Sequence, residues 1–136
     1  MNRLLWGGFL VLAIAVVAAL FVDKVPPEGL THARMHMMKR RILRFANTEG
    51  ALPKTIDEFP RIEGFDNSVK DGWGRPILWR VEGDKVILTS FGRDGTLGGV
   101  GADTDMIAIF QTKTGVGAWA EEMCEWEIDP YGRRWE

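Results

Sequence analysis

The chain of 136 residues is short of the groups most chemistry uses. It has one cysteine, Cys124, so no internal disulfide forms, and a buried thiol and an intermolecular bridge both stay open. Its two histidines, His32 and His36, stand four apart, as paired zinc ligands do on a helix. However, "HARMH" lacks the glutamate of a zinc-protease motif and no third ligand is evident, so packed or solvated imidazoles fit better. No nucleophile, base and orienting group present themselves as a set. Ser90 precedes Phe91 and Gly92 rather than sitting in a G-x-S-x-G elbow, Cys124 has no histidine near it in sequence, and the carboxylates form no distinctive pair. The chain therefore reads as non-enzymatic. A net charge of −2 argues against nucleic acid as a partner, and there is no internal repeat or low-complexity tract.

What the sequence does have begins with an apolar run. "LLWGGFLVLAIAVVAALFV", Leu4 to Val22, carries no charge. As a helix it would span roughly 28 Å, close to the hydrocarbon thickness of a bilayer. It is longer than a secretory h-region, and "DKVPPEG" behind it is not a small-residue cleavage site, although "VAA" resembles one. A transmembrane anchor over residues 1–24 is the expectation, ahead of a cleaved signal and a buried core helix. Lys24, Arg34, Lys39, Arg40, Arg41 and Arg44 follow the run and pull towards a cytoplasmic C-terminal side. The very short N-terminal tail and the folded domain behind favour the opposite: a single pass in the inner (cytoplasmic) membrane, with the C-terminal domain in the periplasm or outside.

Pro26 and Pro27 interrupt the helical signal and mark a linker at 25–30. From Thr31 to about Asn47, Met35, Met38, Ile42 and Phe45 recur at helical spacing, with Arg34, Arg41 and Arg44 elsewhere on the surface. Lys39, Arg40, Arg41 and Arg44 form a basic cluster suited to a solvated face or to anionic head groups. "NTEGALP" stops this helix, and Thr55 caps a short turn that sets Ile56 and Phe59 on one face. After the turn "DGWGRP", "ILWRVEGDKVILTS" reads as a β-hairpin, and "MIAIF" at 106–110 adds a strand. Trp73 and Trp79 suit a core better than a sugar platform. "AWAEEM" suits a short helix and "EWEI" an edge strand, and period alone does not separate them. The fold class expected is α+β: an N-terminal transmembrane helix, an amphipathic helix, then a small antiparallel sheet. The domain occupies 31–112, with a C-terminal extension at 113–136.

The candidate site is the loop "FGRDGTLGGVGADTD", residues 91–105. Asp94, Asp103 and Asp105 offer hard oxygens, and the glycines let main-chain carbonyls turn inward, the ligand set that calcium requires. A phosphate cradle would need a lysine that the loop lacks. Plain Asp-Gly turns between strands are the alternative.

Taken in order, "GALPKTIDEF", "KDGWGRPILWRV" and "VILTSFGRDGTLGGVGADTDMI" resemble the C-terminal region of the major pseudopilin of bacterial type II secretion, from Gly50 to Ile107. The resemblance implies a non-enzymatic subunit of a short periplasmic filament whose glycine-rich loop is ordered by calcium. Its partners would be the membrane, like subunits and other secretion-system proteins. Asp94, Asp103 and Asp105 match the family's loop aspartates, and Phe91 and Thr96 its carbonyl donors. Family members carry a glutamate at the fifth mature position, where counting from Phe9 finds Ala13 here, so the prepilin motif is degenerate. The Pro26-Pro27 break and the longer C-terminal end also depart from the family. The alternative is a membrane-tethered extracytoplasmic interaction module that does not polymerise.

Overall fold

The computed structural model describes residues 24–129. Helix α1 spans Pro27–Glu49 and lies against a four-stranded antiparallel sheet in simple meander order: β1 (Leu78–Glu82), β2 (Lys85–Ser90), β3 (Met106–Gln111) and β4 (Glu127–Asp129).

Two expectations about the helical part are corrected. The expected N-terminal transmembrane helix is not among the described elements: no helix among the described residues is long and apolar enough to cross a membrane. The run at 4–22 lies outside them. Among the described residues the fold is thus α+β, one α-helix on an antiparallel sheet. The proline linker is also corrected, because Pro27 opens α1 instead of breaking it. The first helical position needs no amide donor and suits proline's fixed φ, so Pro26-Pro27 reads as a start signal. Thr31, expected as the cap, sits inside α1, where its hydroxyl donates to the Pro27 carbonyl (2.7 Å) and accepts the Gly72 N–H (2.8 Å). Gly50 ends the helix with φ +71° and returns its N–H to the Ala46 carbonyl.

Three of the four expected stripe residues, Met35, Met38 and Ile42, are in the core, whereas Phe45 is only half-buried and Leu43 takes its place. Met35, Met38, Ile42 and Leu43 are fully buried against Val86 and Leu88 of β2 and Met106, Ala108 and Phe110 of β3. Each such side chain contributes about 1.5–3 kcal/mol on leaving water. Phe59 joins this core after the 3-10 turn Ile56–Glu58, where the Glu58 carboxylate accepts the Thr55 N–H (3.0 Å), and the Trp79 ring meets Phe59 edge-on at 5.3 Å. Residues 113–129 return to the same body. Ala120 is in the core, Cys124 and Trp126 pack against it, and "EWEI" supplies the edge strand β4 beside β3.

The basic cluster on α1 is not a solvated face. Lys39 is fully buried and Arg41 is 5% exposed. The Arg41 guanidinium donates to the main-chain carbonyls of Phe59, Pro60 and Asn67, which fastens the 59–67 segment to the helix. Arg44 forms a two-pronged pair with Glu122 (2.7 and 2.9 Å), and Arg40 stands 3.5 Å from the same carboxylate. Hydrogen bonding from Arg44, above all, holds the Glu122 carboxyl below the usual range.

Candidate functional site

The 91–105 loop joins β2 to β3, rooted beside the turn at 71–76. In that turn Asp71 is 1% exposed and fully engaged. Its Oδ1 accepts the N–H groups of Trp73 (3.0 Å) and Arg75 (2.9 Å), and its Oδ2 accepts the Ser90 hydroxyl (2.8 Å). Ser90 is the last residue of β2, so this buried carboxylate fixes where the loop begins. From the other side, the Arg75 guanidinium donates to the Arg93 carbonyl and lies against Gly95.

The loop is tightly wound. The Arg93 N–H reaches the Ala102 carbonyl (2.8 Å), the Gly95 N–H reaches that of Phe91 (3.2 Å), and a short 3-10 turn closes Gly101–Asp103. Glycine is required at two close approaches. A Cβ on Gly92 (φ +64°) would stand 2.7 Å from the main-chain oxygens of Asp103 and Thr104, and one on Gly99 (φ +95°) would collide with the Asp103 carbonyl. The main-chain oxygens of Asp103 and Thr104 thus lie against Gly92, and that of Asp103 also against Gly99.

The three aspartates divide instead of converging. Asp94 is exposed and folds back on its own chain, accepting the Thr96 N–H (3.0 Å) and hydroxyl (2.8 Å). Those two bonds hold its carboxyl below the ordinary value. Asp103 forms a two-pronged pair with Arg93 (2.8 and 3.0 Å). Asp105 is different: it is 6% exposed, its Oδ2 accepts the Gly98 N–H (3.0 Å), and its Oδ1 is buried with no hydrogen-bond partner. A buried oxygen left unmatched costs about 1–3 kcal/mol, more when it carries charge.

The donor set meets calcium in part. Asp105 Oδ1 is an uncommitted hard oxygen among closely packed main-chain groups, whereas the carboxylates of Asp94 and Asp103 are taken up by Thr96 and Arg93. Phe91 is half-buried with its carbonyl already accepting Gly95, and Thr96 is exposed. Among the described residues no three His, Cys, Asp or Glu side chains form a metal-ready group. The sequence singles out Asp94, Asp103 and Asp105, but it does not reveal Arg93 as the partner of Asp103, Gly98 as the donor to Asp105, or Asp71 as the loop's foundation. Arg93, ten residues before Asp103, was the legible signal.

The histidine pair finds an aromatic neighbour: the rings of His32 and His36 lie 6.2 and 5.1 Å from that of Trp126. Above the loop, Leu97 and Val100 stand 82% and 83% exposed on either side of Gly98-Gly99. No family model, curated protein or solved structure matches the chain.

Proposed function

We propose that residues 24–129 form a non-catalytic, pseudopilin-like interaction domain of a type II secretion or related system, and that a calcium ion completes the 91–105 loop. In this reading the domain works on the outer side of the cytoplasmic membrane. One observation carries the ion: the buried, unpartnered Oδ1 of Asp105. The order of motifs from Gly50 to Ile107 supports the secretion context.

Bound calcium would supply charge neutralisation and a common centre for oxygens that otherwise repel. Asp105 is the anchor ligand. Asp103 and Asp94 join by exchanging the Arg93 guanidinium and the Thr96 donors, and the carbonyls of Phe91 and Thr96 complete the oxygen set. The cost of freeing Asp103 is small, since solvent screens an ion pair whose arginine is exposed. Ordering the loop then holds its exposed apolar tip for a partner, either a like subunit or another secretion-system protein.

A second reading, a tethered interaction module outside any filament, is favoured by Leu97 and Val100. Such exposure at a loop tip suits docking to a partner, and nothing about it requires a polymer.

The test is thermal melting of the full chain in detergent, with calcium, magnesium or chelator, beside Asp105→Asn. Calcium at about a hundred times its Kd stabilises by about 2.7 kcal/mol, which raises Tm by roughly 10 °C or more for a domain of this size. Asp105→Asn should melt no lower than wild type in chelator, because it removes a buried charge, and should gain nothing from calcium. A wild-type chain that melts identically in calcium and chelator refutes the ion site.

A further inference from the structure

A groove of about 740 Å³ opens between α1 and the returning segment 123–126, and it shares no lining residue with the 91–105 loop. Beneath it lies Lys39, fully buried. The Lys39 ammonium donates to the Cys124 carbonyl and stands 5.0 Å from the centroid of the Trp126 ring. Among residues 24–126, whose side chains are described, no carboxylate lies within ion-pair distance of it, and the contacts described for this cation are one carbonyl and one aromatic face. Burial accordingly pushes the Lys39 pKa down.

His36 lines the same groove. Its Nδ1 is shielded from solvent and has no hydrogen-bond partner. Burial first, and then the Lys39 charge, push its pKa down, so the ring is neutral at pH 7 and Nδ1–H is available as a donor in that tautomer. The remaining wall is apolar, with Phe110 meeting Trp126 edge-on at 6.5 Å. At the exposed rim Lys85 and Glu125 oppose each other in charge.

We propose that this groove binds a small monocarboxylate with a flat apolar body, its carboxylate drawn to Lys39 and His36 and its body lying along Trp126. The charge balance selects the class. The rim pair cancels, which leaves one uncompensated cation, and its field acts through protein, where screening is weaker than in water. A monoanion satisfies that cation. A dianionic phosphate would bring a surplus negative charge beside Glu125, and a neutral molecule, though able to accept from His36 Nδ1–H, would leave the Lys39 charge unmatched.

Cys124, the only cysteine, lines the groove half-buried and so reports on occupancy. The experiment follows the rate of alkylation of Cys124 by iodoacetamide in the full chain, at constant ionic strength, with benzoate, phenyl phosphate or benzyl alcohol. Benzoate should slow the reaction saturably, by about fivefold or more when the groove is full, with the other two needing roughly tenfold higher concentration, a difference of about 1.4 kcal/mol. Lys39→Met should abolish protection by benzoate. If circular dichroism finds that variant unfolded, Lys85→Glu decides, since reversing an exposed rim charge leaves the core intact and should raise the benzoate midpoint several-fold. Equal protection by benzoate and benzyl alcohol overturns the proposal. So does unsaturable or absent protection, a folded Lys39→Met that is still protected, or a Lys85→Glu midpoint equal to that of wild type.

Discussion

Two Asp-Gly segments lie side by side in this molecule and solve the same problem differently. In the 71–76 turn, one buried carboxylate receives two amide N–H groups and a hydroxyl, all from its own chain. In the 91–105 loop, an equally buried carboxylate receives one N–H and leaves an oxygen bare. Burying a charge is tolerated when every lone pair is met, and Asp71 satisfies that condition without help. Asp105 does not, which makes one aspartate a structural pin and leaves the other with one oxygen unmet.

The largest expected effect comes from breaking the satisfied member. Asp71→Ala orphans the Trp73 and Arg75 amides and the Ser90 hydroxyl at once, and should cost about 3–5 kcal/mol, read as a drop in urea midpoint with or without calcium. Next, Gly99→Ala should cost about 1–3 kcal/mol, because a methyl group there strikes the Asp103 carbonyl in a backbone conformation that only glycine adopts easily. Gly98→Ala has a similar φ but open space, so it should cost less, and melting of the pair separates collision from backbone strain. A smaller effect is expected for Arg93→Gln, which leaves stability in chelator nearly unchanged yet tightens calcium binding in a titration, since it removes the group that occupies Asp103. The smallest concerns Asp94. Its folded pKa lies below its ordinary value, so its contribution to stability is complete above that value and is lost as pH falls through the lowered one. Thr96→Val removes the hydroxyl bond, and carboxyl NMR should find the Asp94 midpoint moved upward.

Much of the fold was legible because it rests on period. Met35, Met38 and Ile42 mark the buried face of α1, and the alternation in "ILWRVEGDKVILTS" and "MIAIF" marks three strands. What was not legible depends on partners distant in sequence. Lys39 and Arg41 look like solvated charges until the carbonyls of Cys124, Phe59, Pro60 and Asn67 are brought to them by segments 18 to 85 residues away. Asp71 looks like any turn aspartate until Ser90, 19 residues on, donates to it. In the loop, the aspartates stood out by composition. Which of them is free was decided by Arg93 and Thr96, and that is a matter of geometry. Pro27 is a different kind of miss: its position was plain, and it was read as the end of one helix when it is the start of another.

The contact between the start of α1 and the 71–76 turn has a mechanical meaning. Pro27 packs so closely on Gly72 that no side chain fits there, and Thr31 holds the Gly72 amide. Gly72 adjoins Asp71, and Asp71 holds Ser90 at the root of the 91–105 loop. Tension applied to the chain ahead of Pro27 would therefore pass through a short, stiff linkage into the footing of the loop. Because Ser90 belongs both to the end of β2 and to the root of the loop, a pull at that end would load the two together.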